Sequence, residues 1–382
     1  MTLQQDNRIY GLDALRAVAM LLGVLLHTII AYKVNVNPSW PSDNSLHSYF
    51  FDGTYYFIHS FRMQLFFVVA GFFARMVYLK IGQQAFIKAR FKRIAIPFIG
   101  SLIFILPLSI APFLYYKYYI ADALPPAEAW AAFRHQFFRW NGMAHLWFLY
   151  YLLFFYGAML VILHKRVQQL VPAFLKKGML NMASLPHILV VGGVLGVIQL
   201  LFFAEPLVEV SNGIIPKVSH LLYYGFFFAI GVLVNKNAAQ LKQIPQRTWL
   251  YLSVGLLLAV ALFYIIVLQK DQTHPVGLWA LKLGVAMQTT FLTFGIMGFF
   301  LRYMNQESRT FRYISDASYW LYLVHLIMVS SLQVLFLYTN IPGVLRIILI
   351  LSITSGVSLL TYQWFIRYTF IGNVLHGPRK RG

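Results

Sequence analysis

The sequence predicts an all-α membrane protein, a polytopic bundle of about ten transmembrane helices that forms a single domain over residues 1–382. Three observations lead to this prediction. Of the residues, 59% are hydrophobic and 11% are charged, whereas soluble proteins carry roughly a quarter charged residues. The chain also contains ten apolar runs of membrane-spanning length, and its basic residues concentrate in every second connection between those runs.

The ten apolar runs justify the ten helices in order. Each has about 18 residues or more, which is near the lower limit for a helix that crosses the hydrocarbon core. The runs cover residues 12–33, 55–79, 97–119, 145–164, 187–204, 217–234, 248–269, 278–301, 315–338 and 344–366. The first run is too long for a cleavable signal peptide, so we expect it to remain as the first span. No connection exceeds about 25 residues, so no soluble domain is predicted.

The basic residues predict which way the bundle faces. The even-numbered connections and the two chain ends hold 20 of the 31 lysines and arginines. These are Arg8, Lys80, Lys88, Arg90, Lys92, Arg93, Lys165, Arg166, Lys176, Lys177, Lys236, Lys242, Arg247, Arg302, Arg309, Arg312, Arg367, Arg379, Lys380 and Arg381. By the positive-inside rule both termini are cytoplasmic, in a multi-pass protein of the bacterial inner membrane. The net charge of +20 then serves orientation and contact with the lipid bilayer, so nucleic acid is not a predicted partner.

The longest connection, residues 120–144, predicts an element outside the ten spans. Trp130, Phe133 and Phe137 recur at helical spacing behind a pair of prolines. This spacing is typical of a short amphipathic helix that lies on the outer membrane surface as a lid or a rim. A simple belt of interfacial aromatic residues is the alternative.

The first span carries an arginine and a histidine eleven residues apart, Arg16 and His27. Eleven residues make about three helical turns, so both side chains lie on one face, roughly 16 Å apart in depth. Ionisable groups inside a membrane are costly and usually face a cavity where they have a function. The alternative is an arginine that reaches the headgroups and a histidine that is hydrogen-bonded in the bundle core.

Further imidazoles are predicted to collect in the outer half of the bundle. His59 and Arg62 are three residues apart in the second span and share a face, and His145, His220 and His325 belong to later spans. Only 11 residues are acidic and most lie in loops, so a histidine is the natural general base. The absence of cysteine excludes a thiol nucleophile, and the spacing expected of a zinc site is missing, so no metal is predicted.

Five segments in register make the chain similar to the membrane acyltransferase 3 family. They are Arg16 with His27, residues 66–73 (FFVVAGFF), residues 90–97 (RFKRIAIP), residues 145–149 (HLWFL) and residues 318–325 (SYWLYLVH). The segment at residues 58–64 (IHSFRMQ) resembles, more narrowly, the branch of that family associated with succinylating osmoregulated periplasmic glucans.

The resemblance implies an O-acyltransferase that needs no cofactor and uses acyl-CoA, most simply succinyl-CoA, as its co-substrate. A hydroxyl of a carbohydrate acceptor would meet the donor at His27, the general base, with His59 as the next candidate. Arg16 would guide the donor, and Arg62 would hold either the succinyl carboxylate or the oxyanion. The remaining predicted site residues bind the donor phosphates or line the chamber. They are Arg90, Lys92 and Arg93 for the donor and His145, Trp147, Tyr322 and His325 for the chamber or acceptor.

Other functions remain open from the residues alone. The same chemistry is possible on another surface polysaccharide or on a lipid headgroup. A transporter or flippase for a lipid-linked saccharide is the competitor from another class, although internal repeats that favour it are not evident. The basic triplet at residues 90–93 is also compatible with ordinary positive-inside topology.

Overall fold

The structure is a computed structural model that describes residues 8–164, 169, 180–269, 275–377 and 379. Ten helices in it are long and apolar enough to cross a membrane, which confirms the predicted all-α bundle. With two shorter helices, they are α1 (Tyr10–Tyr32), α2 (Tyr49–Ile81), α3 (Gln83–Ala121), α4 (Pro126–Phe137), α5 (Ala144–Leu163), α6 (Leu185–Phe202), α7 (Val218–Lys236), α8 (Ile244–Gln269), α9 (Gly277–Tyr303), α10 (Arg309–Phe336), α11 (Gly343–Ile366) and α12 (Phe370–Leu375).

We call the end of the bundle at which α1 begins the N-terminal face, and the other end the opposite face. Arg8 and Arg379 lie on the N-terminal face, whereas Lys33 lies on the opposite face. Six of the twenty basic residues used for the predicted orientation are outside the described residues: Lys165, Arg166, Lys176, Lys177, Lys380 and Arg381. The cytoplasmic assignment of the N-terminal face stays a prediction.

Helices α1 and α9 are the most enclosed of the ten spans, and small residues let the helices approach. A Cβ at Gly71 of α2 would overlap the carbonyl oxygen of Phe228, and a Cβ at Gly231 of α7 would overlap that of Val68. Two glycines therefore bring the backbones of α2 and α7 into reciprocal contact, as is common where helices associate within a membrane.

Helix α3 begins fourteen residues before the apolar run at residue 97, because its basic first part, residues 83–96, is also helical. Wider π-helical turns interrupt it at Phe91–Ala95, Ser101–Ile105 and Tyr116–Ala121. Prolines at 97, 107 and 112 lack the N–H that a regular α-helix needs, which accounts for part of this irregularity.

The predicted helix between the third and fourth spans is present as α4. Trp130, Phe133 and Phe137 stack along one side of it, and Trp130 is more than half exposed. Gln136, near its end, lines the central cavity described below. Helix α4 therefore has an exposed aromatic side and also forms part of the rim of the cavity, on the opposite face of the bundle.

The connection between α1 and α2, residues 33–48, folds over the opposite face, and we call it the cap loop. Asp43 pairs with Arg346 at the start of α11 at 2.6 Å, and both side chains are about one-tenth exposed. The Asp43 amide also donates to the Ala31 carbonyl oxygen at 2.9 Å. The Asp52 carboxylate accepts from the Val34 amide at 2.8 Å. The loop is therefore fastened at its beginning and at its end.

Candidate active site

A large cavity of about 1470 Å³ has walls that reach both faces of the bundle. The residues that line the cavity differ from one face of the bundle to the other. At the N-terminal face it is formed by Arg8, Asp13, Arg16, Arg90, Arg93, Asp316 and Arg379. In the middle it is formed by His27, His59, Arg62, His145, Trp147, Tyr322 and His325. At the opposite face it is formed by Lys33, Asn35, Asn37, Trp40, Gln136, Asn141, Glu209 and Asn212.

His27 lies where helix α1 meets the cap loop. Its ring stacks on the Trp40 indole with centroids 5.7 Å apart and planes 8° apart, and the His325 ring lies 5.2 Å away. Gln333 of α10 fixes this arrangement, because its Nε2 donates to the His27 carbonyl oxygen and its Oε1 accepts from Trp40 Nε1. Nδ1 of His27 is buried and has no hydrogen-bond partner within the described chain. The imidazole is thus held by its backbone and by stacking, and a ring nitrogen is left unused.

Arg62 turns its guanidinium into the cavity against Gly23, one helical turn before His27 on α1. A Cβ at residue 23 would overlap Nη1 of Arg62, so the glycine makes room for the guanidinium. Nη2 lies 3.7 Å from Met63 Sδ, a weak contact, and Nε is buried without a partner. No carboxylate of the described residues pairs with it. Arg62 therefore presents an uncompensated cation beside His27, as expected of a group that awaits an anion.

His59 stacks on Tyr55 with centroids 5.3 Å apart, and its Nε2 lies 3.2 Å from the Val208 carbonyl oxygen. A carbonyl accepts and never donates, so Nε2 carries the proton and Nδ1 keeps the lone pair. Both His59 and Arg62 line the cavity, as the sequence predicted for the shared face of the second span.

The two later motifs meet on the cavity wall. Tyr322 Oη donates to the His145 carbonyl oxygen at 2.6 Å, and His145 Nε2 lies 3.0 Å from the Leu323 carbonyl oxygen. The His325 ring lies 5.2 Å from the His145 ring, so His27, His325 and His145 form a row of three imidazoles. Within the described residues no cluster of three potential ligands has a metal-binding arrangement. Trp147 packs on Phe67 behind this row.

The structure places the predicted donor-binding residues in different surroundings. Arg90 lies over the rings of Phe86 and Tyr156, and Arg93 is exposed at the cavity mouth. Arg16 lies 3.7 Å from Asp13, which also pairs with Arg8. Lys92 is exposed and is not part of the cavity wall.

His220 does not join the other imidazoles. Its Nε2 lies 2.7 Å from the Glu209 carbonyl oxygen and its ring packs on Phe203, away from the cavity wall. Depth along a span, which suggested its inclusion, does not report which side of the helix a residue occupies.

Sequence reasoning missed Trp40, Gln333 and Gly23. Gln333 carries a signal, because a polar side chain late in an apolar span needs a partner. Trp40 lies in a polar loop, and Gly23 looks like any other small residue of a membrane helix. Their roles depend on contacts with residues far away in the chain.

Burial lowers the pKa of one basic group at each mouth of the cavity. Lys33 lies 4.0 Å from the centre of the Tyr55 ring, and burial lowers the pKa of its ammonium, an effect opposed by Asp52 and Glu209. On the N-terminal face, burial lowers the pKa of His376 below its usual value.

Comparison with known proteins identifies the family. The family model described as an acyltransferase domain, acyltransferase 3, matches residues 9–363. The chain belongs to the acyltransferase 3 family. Among curated relatives, Glucans biosynthesis protein C of Escherichia coli strain SMS-3-5 is 29% identical over 336 residues, which covers 84% of this chain and 81% of that protein. The same protein of strain K12 is 28% identical over the same length. No solved structure matches the chain.

As a member of the acyltransferase 3 family, the protein is a multi-pass membrane enzyme that transfers acyl groups. This decides between an enzyme and a transporter, the two classes that the sequence left open. The family match covers all five segments that carried the resemblance, from Arg16 to His325. The residue roles, the acyl group and the acceptor are argued next from the geometry of the cavity.

Proposed function

We propose that the protein transfers an acyl group, succinyl by preference, from acyl-CoA at the cytoplasmic face to a hydroxyl of a periplasmic glucan. We assign the N-terminal face to the cytoplasm because most basic residues belong to it. The glucan and the succinyl group are suggested by the relatives named Glucans biosynthesis protein C, which cover most of the chain.

The observation that carries the proposal is one cavity with two chemically different mouths. Several arginines surround the N-terminal mouth, and guanidinium groups bind phosphates well. Amide side chains surround the opposite mouth, including those of Asn37, Asn141 and Asn212. Amides both donate and accept hydrogen bonds, as sugar hydroxyls do, and the Trp40 indole offers an apolar surface for a sugar ring. His27 and Arg62 lie between the two mouths.

The reaction then proceeds in two stages. His27 takes the proton of the sugar hydroxyl while the hydroxyl oxygen attacks the thioester carbonyl carbon. Arg62 stabilises the negative charge that develops on the carbonyl oxygen. When the tetrahedral intermediate collapses, the carbon–sulfur bond breaks and the thiolate of CoA takes the proton from His27. The products are a sugar ester and free CoA, and the histidine returns to its neutral form.

Arg62 fits the oxyanion better than a distal carboxylate because of where it lies. Its guanidinium lies against Gly23, one turn from His27 on the same face of α1. A group one turn from the general base is close to the carbon that reacts. The rings of His27, His325, His145 and Tyr322 line the same cavity, and Arg16 lines it at the N-terminal mouth.

The test is CoA release by the purified protein in lipid nanodiscs, supplied with succinyl-CoA and a β-glucan. Because the chain contains no cysteine, a thiol reagent detects only the CoA that the reaction releases. We expect release that requires the glucan, and succinyl ester on the glucan by mass spectrometry. Release with a lipid or another polysaccharide, but not with the glucan, would reassign the acceptor. No release with any acceptor would contradict the proposal.

His27→Gln is expected to lower the rate at least about a hundredfold, since general base catalysis contributes about that much. The matched control is His220→Gln, which changes a histidine that points away from the cavity and is expected to retain most activity. The thermal midpoint of each variant, measured in the same nanodiscs, separates loss of chemistry from loss of fold. An active His27→Gln variant would remove His27 from the mechanism.

A further inference from the structure

The chain beyond α11 folds back over the N-terminal mouth of the cavity. Helix α12 follows the last span, and its last residue, Leu375, lines the cavity together with His376 and Arg379 beyond it. We call residues 370–379 the C-terminal strap, of which 370–377 and 379 are described. The proposed function uses the arginines of this mouth as a group and assigns no role to the strap itself.

The strap is seated by specific contacts. Arg379 Nη2 donates to Asp316 Oδ1 of α10 at 2.8 Å. The His376 ring packs on the Tyr362 ring with centroids 5.7 Å apart. Gly377 has a φ of +90°, which favours glycine, and a Cβ there would press on Nη2 of Arg93. The strap therefore reaches both α10 and the basic part of α3.

Positive charge exceeds negative charge around this mouth. Five arginines line it, together with two acids, Asp13 and Asp316. Asp13 is shared by Arg8 and Arg16, and Asp316 pairs with Arg379. Arg93 makes no ion pair with a described residue. The mouth as it stands is matched to an anion that carries several negative charges.

We propose that the C-terminal strap forms part of the binding site for the donor's phosphate groups, with Arg379 as a phosphate ligand beside Arg93. This inference rests on the proposed function, because it takes acyl-CoA as the donor. Asp316 holds the guanidinium at the mouth while the site is empty, using one of its N–H groups. The other N–H groups of the fork are left to reach a phosphate, as guanidinium geometry allows.

The test measures binding of CoA itself, so that it does not depend on turnover. Wild type, Arg379→Gln and Asp316→Asn are compared in nanodiscs of neutral phosphatidylcholine, with pantetheine as the probe that lacks phosphates. We expect Arg379→Gln to raise the Kd for CoA about tenfold, the size of one charge-assisted contact, and to leave pantetheine binding unchanged. Arg312→Gln, an exposed arginine of α10 outside the cavity, is the control and should bind CoA like wild type.

The Asp316→Asn variant tests whether Arg379 binds phosphate or only holds the strap in place. Asparagine keeps an oxygen that accepts from Arg379 but removes a negative charge from the mouth, so the Kd for CoA should stay the same or fall. If Asp316→Asn weakens CoA binding as much as Arg379→Gln does, the pair only fastens the strap and the inference is wrong. An unchanged Kd in Arg379→Gln also overturns it.

A second arm distinguishes the donor from anionic lipid, which offers similar phosphate chemistry. If Arg379 binds headgroups instead, Arg379→Gln leaves CoA binding unchanged in neutral nanodiscs and alters stability only when phosphatidylglycerol is added. Failure of the proposed function looks different: the wild type then binds CoA through Arg379 but releases none from succinyl-CoA.

Discussion

Arg62 brings a positive charge into the interior of the bundle without an acidic partner among the described residues. Such a charge is costly to bury, and a fold keeps it only where something compensates. The compensation that the geometry offers is an anion formed in the cavity beside His27. The position of Arg62 at Gly23 makes its role testable without removing the arginine.

Arg62→Met keeps an unbranched side chain of similar length and removes the charge. We expect the rate of transfer to fall about a hundredfold for succinyl-CoA and for acetyl-CoA alike, because each reaction passes through the same oxyanion. CoA release with each donor measures this. A large loss for succinyl-CoA with little for acetyl-CoA would place the succinyl carboxylate, rather than the oxyanion, on Arg62.

Gly23→Ala adds one methyl group that overlaps the guanidinium of Arg62. The side chain must move by about an ångström, which is enough to lower the rate of transfer by roughly a hundredfold where a catalytic group is displaced. In the Arg62→Met background the same methyl group should cost almost nothing further. Equal losses in both backgrounds, measured as kcat, would show that Gly23 acts on the packing of α1 instead.

At the scale of elements, the cap loop decides what lies above His27. It carries Trp40 onto the histidine ring, and its polar residues Asn35 and Asn37 face the opposite mouth. Val36 and Trp40 of the loop pack against the apolar cluster of Leu26, Ile30 and Ile58, and polar contacts hold the rest of the loop. Among these polar contacts, the ion pair of Asp43 with Arg346 is expected to contribute most to the stability of the loop, because both side chains are nearly buried.

Arg346→Met leaves the Asp43 carboxylate buried without its cation, and removing one partner of such a pair typically costs about 3–5 kcal/mol. We expect a lower thermal midpoint and a more exposed Trp40. Because the chain has eight tryptophans, the exposure of Trp40 is measured as a red shift that disappears when Trp40→Phe is added to the variant. Replacing both partners, Asp43→Asn with Arg346→Met, should restore much of the stability. A double variant that is no more stable than Arg346→Met would argue against a direct pair.

At the scale of the whole molecule, the two mouths make the enzyme asymmetric. In the proposed function the donor binds at the N-terminal face and the acceptor at the opposite face, so variants at one mouth should affect one substrate. The structure also divides the basic triplet of residues 90–93, because Arg90 and Arg93 line the cavity whereas Lys92 does not.

Arg90→Ala and Arg93→Ala are therefore expected to raise the KM for the acyl-CoA donor about tenfold, with the acceptor KM unchanged, since each loses contact with a phosphate. Lys92→Ala serves as the matched control and should change the donor KM least of the three. If all three variants leave the donor KM at the wild-type value, the triplet serves topology alone.

Hydropathy was sufficient to find all ten spans, because the cost of unsatisfied backbone in lipid dominates every other preference. It did not find the start of α3, where residues 83–96 are helical but charged, or the folded cap loop. Asp43 and Arg346 are 303 residues apart in the chain, and no local sequence pattern predicts that they pair. The three-residue spacing predicted that His59 and Arg62 share one face, and both line the cavity. The depth of His220 along its span suggested that it lies near the other imidazoles, but its side chain packs outside the cavity wall.

The cavity that reaches both faces has a consequence for the membrane potential. Water that fills such a passage is a route for ions, and a leak of protons would dissipate the gradient on which the cell depends. The guanidinium of Arg62, which makes no ion pair with a described carboxylate, lines the middle of the passage, and a fixed positive charge there repels protons and other cations. Trp40, stacked on His27, covers the passage beyond it. In the proposed function, the side chains that serve acyl transfer would therefore also oppose the passage of protons through the bilayer.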